Sequence, residues 1–587
     1  MSKEAKVLLV EMPNVNLVRE RDGRNLAPNV PNAPNGSKQY TATSLQGRFE
    51  VGIVDLKRTE KLEEDGSISK LPVVEEEYGQ LDWEGDGVTK VRWGNRNFNE
   101  ALEKAADEAA STNGVVGFTA NFLKERGLII EATRKVIDIS NGRARVVVGG
   151  RDAFAEPFPY LIAGADAVVK NMDGDANQAI VEYITGQKVS RPLTKFDVVF
   201  NPQKIFLPYE ERLDSNLVSQ MELIPSRRVV QSTMGTQHWE NPLPEHLNKL
   251  GAFKKIWKQD NESKFKSPCD ETCDFCTVPL LGRPDLDNLR FDLEGSLDYV
   301  RGLKRAGVRT ISFIDDQLLL DVLYPGGEKM LLDFFGELRK EGLAWVIGNG
   351  VQIKKFTLSR GISEHAAATD PYYKHRIEQL RNAGERVEPG NYELNESLVK
   401  AVCGWESDAI GWDGTKGVGC VAVYWPGEDP TGGEKAKGMR KLLGASDQVN
   451  ALREIFRISG MTRGSYGMIY GRHDQTAEHM MANTDAALEI KRALLVDNPN
   501  IEFIVTPFAL IPATGTNAAY KTWRGLEEMG VASLYSENPE LAGNFWAPKP
   551  TKLLTVRAIR EAQEDAFTRL NSDIELDKPW HGMEDKV

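Results

Sequence analysis

Three cysteines stand close together in the segment SPCDETCDFCTVP: Cys269, Cys273 and Cys276, spaced C-x3-C-x2-C. A loop with that spacing can wrap three thiolates around three irons of a 4Fe-4S cluster and leave the fourth iron open. An open iron can chelate the amino and carboxylate groups of S-adenosylmethionine, setting its sulfonium beside a reductant able to cleave a carbon–sulfur bond. Zinc also takes thiolates, but its sites usually show paired cysteine or histidine couples, and no second couple occurs here. Cys403 and Cys420 lack the company a second cluster needs, and Cys420, inside a strand pattern, reads as a small buried hydrophobe. Five cysteines, three of them clustered, fit metal chemistry in a reducing compartment better than a disulfide framework.

The elements that must position this loop form two α/β series. Residues 1–190 alternate apolar strands at Lys6–Met12, Phe49–Leu56, Gly114–Thr119, Arg145–Val148 and Ala167–Lys170 with helical segments near 98–112, 121–136, 155–163 and 175–185. Such alternation predicts a doubly wound parallel sheet with its ligand beyond the carboxyl ends of the strands. Residues 191–260 lack a clear period and read as a connecting region. A second series over 261–515 has strands near 309–314, 343–348, 418–424, 466–470 and 501–506, a rhythm that curls into a full or partial barrel with chemistry at its carboxyl-terminal face. The stretch 357–416 is too long for a simple barrel connection and predicts a helical insertion. Residues 516–587 predict a mainly helical tail. The loop Asn14–Asn35, rich in Asn, Pro and Arg, is either a cover for a ligand face or a simple mobile loop.

The totals restrict the function classes. A chain of 587 residues exceeds one hydrophobic core. Its net charge of -13 opposes general attraction to nucleic acid, although a local basic cleft remains compatible with it. No apolar run is long enough for a membrane span and the first residues do not form a signal peptide, so the expectation is a cytoplasmic protein without nucleic-acid or membrane partners.

The cysteine loop resembles the signature of the radical S-adenosylmethionine superfamily, including the aromatic Phe275 before the last cysteine, which the resemblance places near the adenine. ISFIDDQ, residues 311–317, resembles the family's second barrel strand, making Asp315 and Asp316 candidate cofactor contacts; helix capping is the plainer role for such acids. YGMIYGRHDQT, residues 466–476, resembles a later strand and glycine turn, with Gly471 as the implied contact to the adenosyl group. The N-terminal series resembles the cobalamin-binding module of one branch of the superfamily. GVVGFTANF (114–122), VVVGGRDAFAEP (146–157) and ADAVVKNMDGDA (165–176) match in order, which implies corrin contacts at Thr119, Ala120, Asn121, Gly149, Gly150, Asp173 and Gly174. Paired glycines would let a bulky ligand approach the backbone, or simply make a tight turn. Many such modules supply a lower axial histidine, and here no histidine precedes His238. A cobalt lacking that imidazole is consistent with methyl shuttling. The acidic residue that the family carries after its fourth barrel strand is not cleanly matched in VYWPGEDPTG; Glu428 or Asp429 could substitute. His473 and His479 are candidate bases, although a histidine at a helix start is more often a cap or surface residue.

The resemblance implies a Rossmann-like cobalamin-binding domain followed by a partial (β/α)6 TIM-type radical S-adenosylmethionine barrel and a mainly helical C-terminal tail. It further implies a cobalamin-dependent C-methyltransferase acting on a small molecule, amino acid or peptide, with a 4Fe-4S cluster, S-adenosylmethionine and cobalamin as cofactors and an external electron donor such as flavodoxin or ferredoxin. One S-adenosylmethionine would give a methyl group and another a 5'-deoxyadenosyl radical. The alternatives are polar methylation, a non-methylating rearrangement or oxidation, and a cobalamin or cluster sensor.

Overall fold

The run KVLLVE forms strand β1 (Lys6–Glu11), with Leu8 and Val10 buried in one apolar cluster and Val7 and Leu9 in another. A strand buried on both faces needs helices on both faces, which is the condition for a doubly wound sheet. A computed structural model describes residues 5–20, 36–45, 47–57, 60–62, 68–81, 83, 87–94, 97–170, 174–193, 198–201, 273, 275–276, 293–305, 308–313, 317–431, 443–513 and 516–574. Within them the protein is a mixed α/β structure with two largely parallel sheets.

In chain order β1 is followed by β2 (Asn14–Arg19), β3 (Glu50–Asp55), β4 (Glu60–Leu62), β5 (Ile68–Lys70), β6 (Val74–Leu81) and β7 (Val88–Gly94). Then come β8 (Val115–Thr119), β9 (Arg145–Gly149), β10 (Ala167–Val169) and β11 (Val198–Phe200). The first sheet runs β11-β10-β9-β8-β1-β3 and is parallel except for the β10–β11 edge pair. Strand order therefore reverses at β1, and open sheets of this kind bind ligands outside the carboxyl ends at that reversal. The helix Phe98–Ser111 shows why the crossovers form: the Asn97 side chain caps it by accepting from the Asn99 and Glu100 N–H groups. Its buried stripe is Phe98, Ala101, Leu102, Ala105, Ala106 and Ala109.

Two features depart from the sequence reading. Asn14–Arg19 is not loop but strand β2, paired antiparallel with β7, which pairs with β6. Its apolar alternation is broken, because the buried positions are Leu17 and the charged Arg19 while Val18 lies on the less covered face. The first sheet also extends beyond residue 190, because Val198–Phe200 adds an antiparallel edge.

The second sheet contains β12 (Thr310–Phe313), β13 (Ala344–Ile347), β14 (Trp405–Ile410), β15 (Lys416–Glu428), β16 (Arg463–Tyr470) and β17 (Glu502–Ala509). Five strands are parallel neighbours in the order β12-β13-β15-β16-β17, and β14 adds antiparallel to β15. Helices Glu364–Thr369, Pro371–Asn382 and Glu396–Cys403 fill the long segment between β13 and β14. After β17 the chain is helical at Asn517–Glu528, Ala532–Glu537, Pro539–Ala542 and Val556–Asn571. Among the described residues no helix is long and apolar enough to cross a membrane.

This C-terminal segment does two jobs. It seals the free edge of β17 with side-chain amides in place of another strand: Asn571 accepts from the Val505 N–H at 2.9 Å and donates to the Val505 carbonyl at 2.8 Å. Gln563 donates to the Pro507 carbonyl at 2.8 Å. It also ties the two α/β halves together. Trp83, fully buried, donates to the Tyr535 hydroxyl at 3.3 Å, Arg19 pairs with Glu564 at 2.6 Å, and Leu17, Leu81 and Val88 pack with Leu526, Leu541 and Val556. The carboxyl ends of the two sheets are thereby held facing one another.

Candidate functional site

A cavity of about 650 Å³ lies where those ends meet, a volume in the range of small-molecule sites. The first sheet contributes Asn121, Phe122 and Leu123 after β8, with Arg151, Asp152 and Ala155 after β9. The cysteine loop contributes Cys273, Phe275 and Cys276, and the second sheet contributes the ends of β13, β15, β16 and β17. The wall is mostly apolar, with Val346, Val423, Ile469, Ile504, Phe508 and Leu510 prominent.

The cysteine pair is arranged as a turn, the Cys276 N–H donating to the Cys273 carbonyl at 3.2 Å. Both residues are partly exposed and neither forms a disulfide. Soft thiolates at the carboxyl ends of a parallel sheet, open to a cavity, suit an iron–sulfur cluster with one free coordination position. The third cysteine, Cys269, and the candidates Asp173, Asp315 and Asp316 lie outside the described residues. Cys403 and Cys420 are both fully buried in the core around the second sheet, and burial pushes both thiols up, which suits packing rather than ligation.

Of the corrin candidates, Asn121 reaches the cavity. Its N–H and that of Phe122 both donate to Glu125 Oε2, at 2.8 and 3.2 Å, which fixes the loop. Thr119 ends β8, Ala120 is buried behind the loop, and Gly174 opens the helix Gly174–Ile184. Gly149 and Gly150 do not line the cavity. Gly150 has φ +101°, and a Cβ there would stand 2.4 Å from the Ala120 carbonyl oxygen, so the glycine serves the close crossing of two strand-end loops. Gly149 has only an ordinary contact with Val169 beside it. Gly150→Ala is expected to cost about 1–3 kcal/mol in chemical denaturation, more than Gly142→Ala, whose site also has positive φ but open space.

Next to Gly150, Asp152 accepts two bonds from Arg126, both at 2.8 Å, and one from the Tyr160 hydroxyl at 2.6 Å. Burial and then the Asp152 charge push the Tyr160 hydroxyl up, keeping it a protonated donor.

On the side of the second sheet, Gly471 also lies off the cavity. It has φ +76°, its N–H donates to Gln475 Oε1 at 2.9 Å, and the space beside it is taken by Ile559. Ser465 and Ile469 of the same strand do line the cavity. Glu428 and Asp429 divide cleanly. Asp429 is fully buried and accepts from Thr431 at 2.6 Å and Arg472 at 2.8 Å, with His479 Nε2 at 3.0 Å. Burial raises its carboxyl, but the bonds from His479 and Thr431 and the charges of His479 and Arg472 outweigh it and hold the group below the usual range. His479 therefore belongs to a structural network, and His473 lies 4.0 Å from Asp474. Glu428 instead lines the cavity, at a bulge in the β15–β16 pairing with φ +57°. A non-glycine residue held there is backbone strain at a site wall.

The sequence reading missed Asn349, Gln352 and Thr506, which also line the cavity. The glycine-flanked run Gly348–Gly350 after a strand was the available signal. A Cβ on Gly350, φ +95°, would meet Tyr424 at 2.8 Å and Pro426 at 3.0 Å, so this turn is pressed onto the end of β15.

No protein-family model and no curated protein matches this chain. Among solved structures it is similar to the cobalamin-dependent S-adenosylmethionine radical enzyme OxsB. With aqua-cobalamin bound, the TM-score is 0.49 at 13% identity, over 97% of this chain and 67% of that one. With aqua-cobalamin and S-adenosylmethionine bound, it is 0.48 at 13% identity, over 94% and 65%. For the apo, selenomethionine-labelled form it is 0.47 at 13% identity, over 90% and 61%.

Proposed function

We propose that this chain is a cobalamin-dependent radical S-adenosylmethionine methyltransferase that methylates a carbon centre of a small molecule, amino acid or peptide. The observation that carries the reading is the meeting of Cys273, Phe275 and Cys276 with the Asn121 loop at one cavity, between the carboxyl ends of two parallel sheets. In this reading the first sheet with its crossovers is the Rossmann-like corrin module, and the five parallel strands β12 to β17 belong to a partial (β/α)6 barrel. Cys269, Cys273 and Cys276 would hold the cluster, and Phe275 would flank the adenine. When bound, the cluster supplies an electron to S-adenosylmethionine and cobalamin carries a methyl group. Asn121, held by Glu125, orients the corrin side, and the apolar wall around Ile469, Ile504 and Phe508 keeps water from a reactive ligand. An external donor such as flavodoxin or ferredoxin would reduce the cluster.

The test is a product ratio with S-adenosylmethionine carrying a deuterated methyl group. Each labelled product is expected to accompany one S-adenosylhomocysteine and about one 5'-deoxyadenosine, the latter carrying substrate hydrogen. Labelled product without 5'-deoxyadenosine selects polar methylation. 5'-Deoxyadenosine with no label in the product selects rearrangement or oxidation and removes the methyltransferase reading.

A further inference from the structure

The wall that β15, β16 and β17 present to the main cavity is largely apolar, with Ala422, Ile469, Ile504 and Phe508. Three hydroxyl side chains interrupt it: Tyr424 on β15, Ser465 on β16 and Thr506 on β17. Strand register brings them together. Tyr424 pairs with Ser465, and Thr506 pairs with Gly467, which lies two residues beyond Ser465 and so on the same face of β16. A Cβ on Gly467 would overlap the Tyr424 hydroxyl, so the phenol ends over this glycine, beside Thr506 and one step along β16 from Ser465. A Cβ on Gly350 would stand 2.8 Å from Cδ1 of the same ring. Two glycines on flanking elements therefore seat the phenol in one place.

None of the three side chains makes a hydrogen bond among the described residues, and none of their oxygens is sealed from the cavity. Phenylalanine, alanine and valine would fill the same space with no hydroxyl to desolvate, so an apolar wall that carries three hydroxyls side by side has a use for them. Each hydroxyl both donates and accepts, and none is charged. Burial, and then the Glu428 charge, push the Tyr424 hydroxyl up, which keeps it a protonated donor at neutral pH. An ammonium or a carboxylate set among the three would lose its hydration with no opposite charge from them to replace it, whereas an alcohol exchanges its bonds to water for equivalent ones. We propose that Tyr424, Ser465 and Thr506 form a substrate subsite that takes an uncharged hydroxyl group on an otherwise apolar body. A substrate that lacks the hydroxyl leaves these groups unmet, the situation in which polar sites discriminate most strongly.

The subsite rests on the cavity being the reaction chamber, and its test is independent of cofactor loading. The probes are 3-phenyl-1-propanol, n-butylbenzene, in which a methyl group replaces the hydroxyl, and 3-phenylpropylamine, each added to the full chain at neutral pH. Ligand-observed NMR gives the affinities and denaturant midpoints give the stability. Wild type is expected to bind the alcohol more tightly than the amine. Tyr424→Phe and Thr506→Val each delete a hydroxyl at almost unchanged volume, and each is expected to lower the ratio of alcohol to butylbenzene affinity by about 3–10-fold. Without ligand both variants are expected to unfold at the wild-type denaturant concentration or slightly above it, because no hydrogen bond is lost. A clear drop in both midpoints would make the hydroxyls structural and overturn the proposal. So would an unchanged affinity ratio in both variants, tighter binding of the amine than of the alcohol, or no alcohol binding to wild type. S-Adenosylmethionine affinity of the reconstituted protein is expected to be unchanged in both variants; a loss matching that of the alcohol would give the hydroxyls to the cosubstrate and also overturn the proposal. Failure of wild type to bind S-adenosylmethionine or aqua-cobalamin counts against the proposed function and leaves the alcohol measurements to decide the subsite.

Discussion

Replacing Cys273 or Cys276 by alanine is expected to reduce the iron held after anaerobic reconstitution from about four atoms per chain to a small fraction of one. Cys269→Ala is expected to do the same. The two described thiols open on the cavity at a turn, and a cubane held by three thiolates has no spare ligand when one is removed. Activity should fall by more than ~10³-fold, the scale seen when one member of a set that works as a unit is deleted. Cys403→Ala and Cys420→Ala are the controls: both thiols are buried in the core around the second sheet, so iron content should hold while stability drops slightly. Full iron and an unchanged visible spectrum in the Cys273 or Cys276 variants would dismiss the cluster, and stoichiometric zinc in the wild type would replace it.

Lys549→Met is expected to stabilise the protein by about 2–4 kcal/mol at pH 7, an unusually large gain for one substitution. The residue is 3% exposed, its ammonium donates to the Leu510 carbonyl at 3.2 Å, and burial alone pulls its pKa down from 10.5 to about 7. Each unit between folded and unfolded pKa corresponds to about 1.4 kcal/mol, so the burial penalty is several kcal/mol, less the lost hydrogen bond. The sign follows from proton uptake. Between pH 7 and about pH 10.5 the unfolded chain holds a proton on this lysine that the folded chain lacks. Wild-type stability should therefore rise across that window, with the penalty complete below pH 7 and absent above pH 10.5. The methionine variant should lack this part of the rise. Denaturant midpoints at pH 7 and pH 9.5 check it, and parallel profiles for the two proteins would show that the lysine is charged and solvated when folded. Leu510 lines the cavity, so the same variant also reports whether an apolar residue at this depth disturbs the chamber.

Strands β1, β8 and β9 were legible because each is buried on both faces and reads as a continuous apolar run, and they fall within a residue or so of their expected ends. The small antiparallel sheet was not, because β6 carries Glu75, Glu76 and Glu77 on a half-exposed ribbon and β2 joins that ribbon by pairing with β7, far away in sequence. At the site, the cysteine loop and Asn121 could be found from spacing and order. Gln352 could not, since a glutamine after a turn has no sequence mark of burial. Gly150 and Gly471 show the reverse: a glycine motif announces positive φ, but whether the freed space goes to a ligand or to Ala120 and Ile559 depends on tertiary packing.

The amide seal on β17 has a consequence for synthesis. Domains begin to fold as they emerge, at about 5–20 residues per second, and Asn571 follows the end of the strand at Ala509 by 62 positions (571 − 509). For roughly 3–12 s the second sheet carries an open edge, and early in the same interval Trp83, in the β6–β7 connection, still lacks its partner Tyr535. A nascent chain stalled in that interval presents a bare strand rim and an uncovered apolar face together. That is the stage at which holdase chaperones would have the most to recognise, and at which a slow-translating stretch would do the most harm.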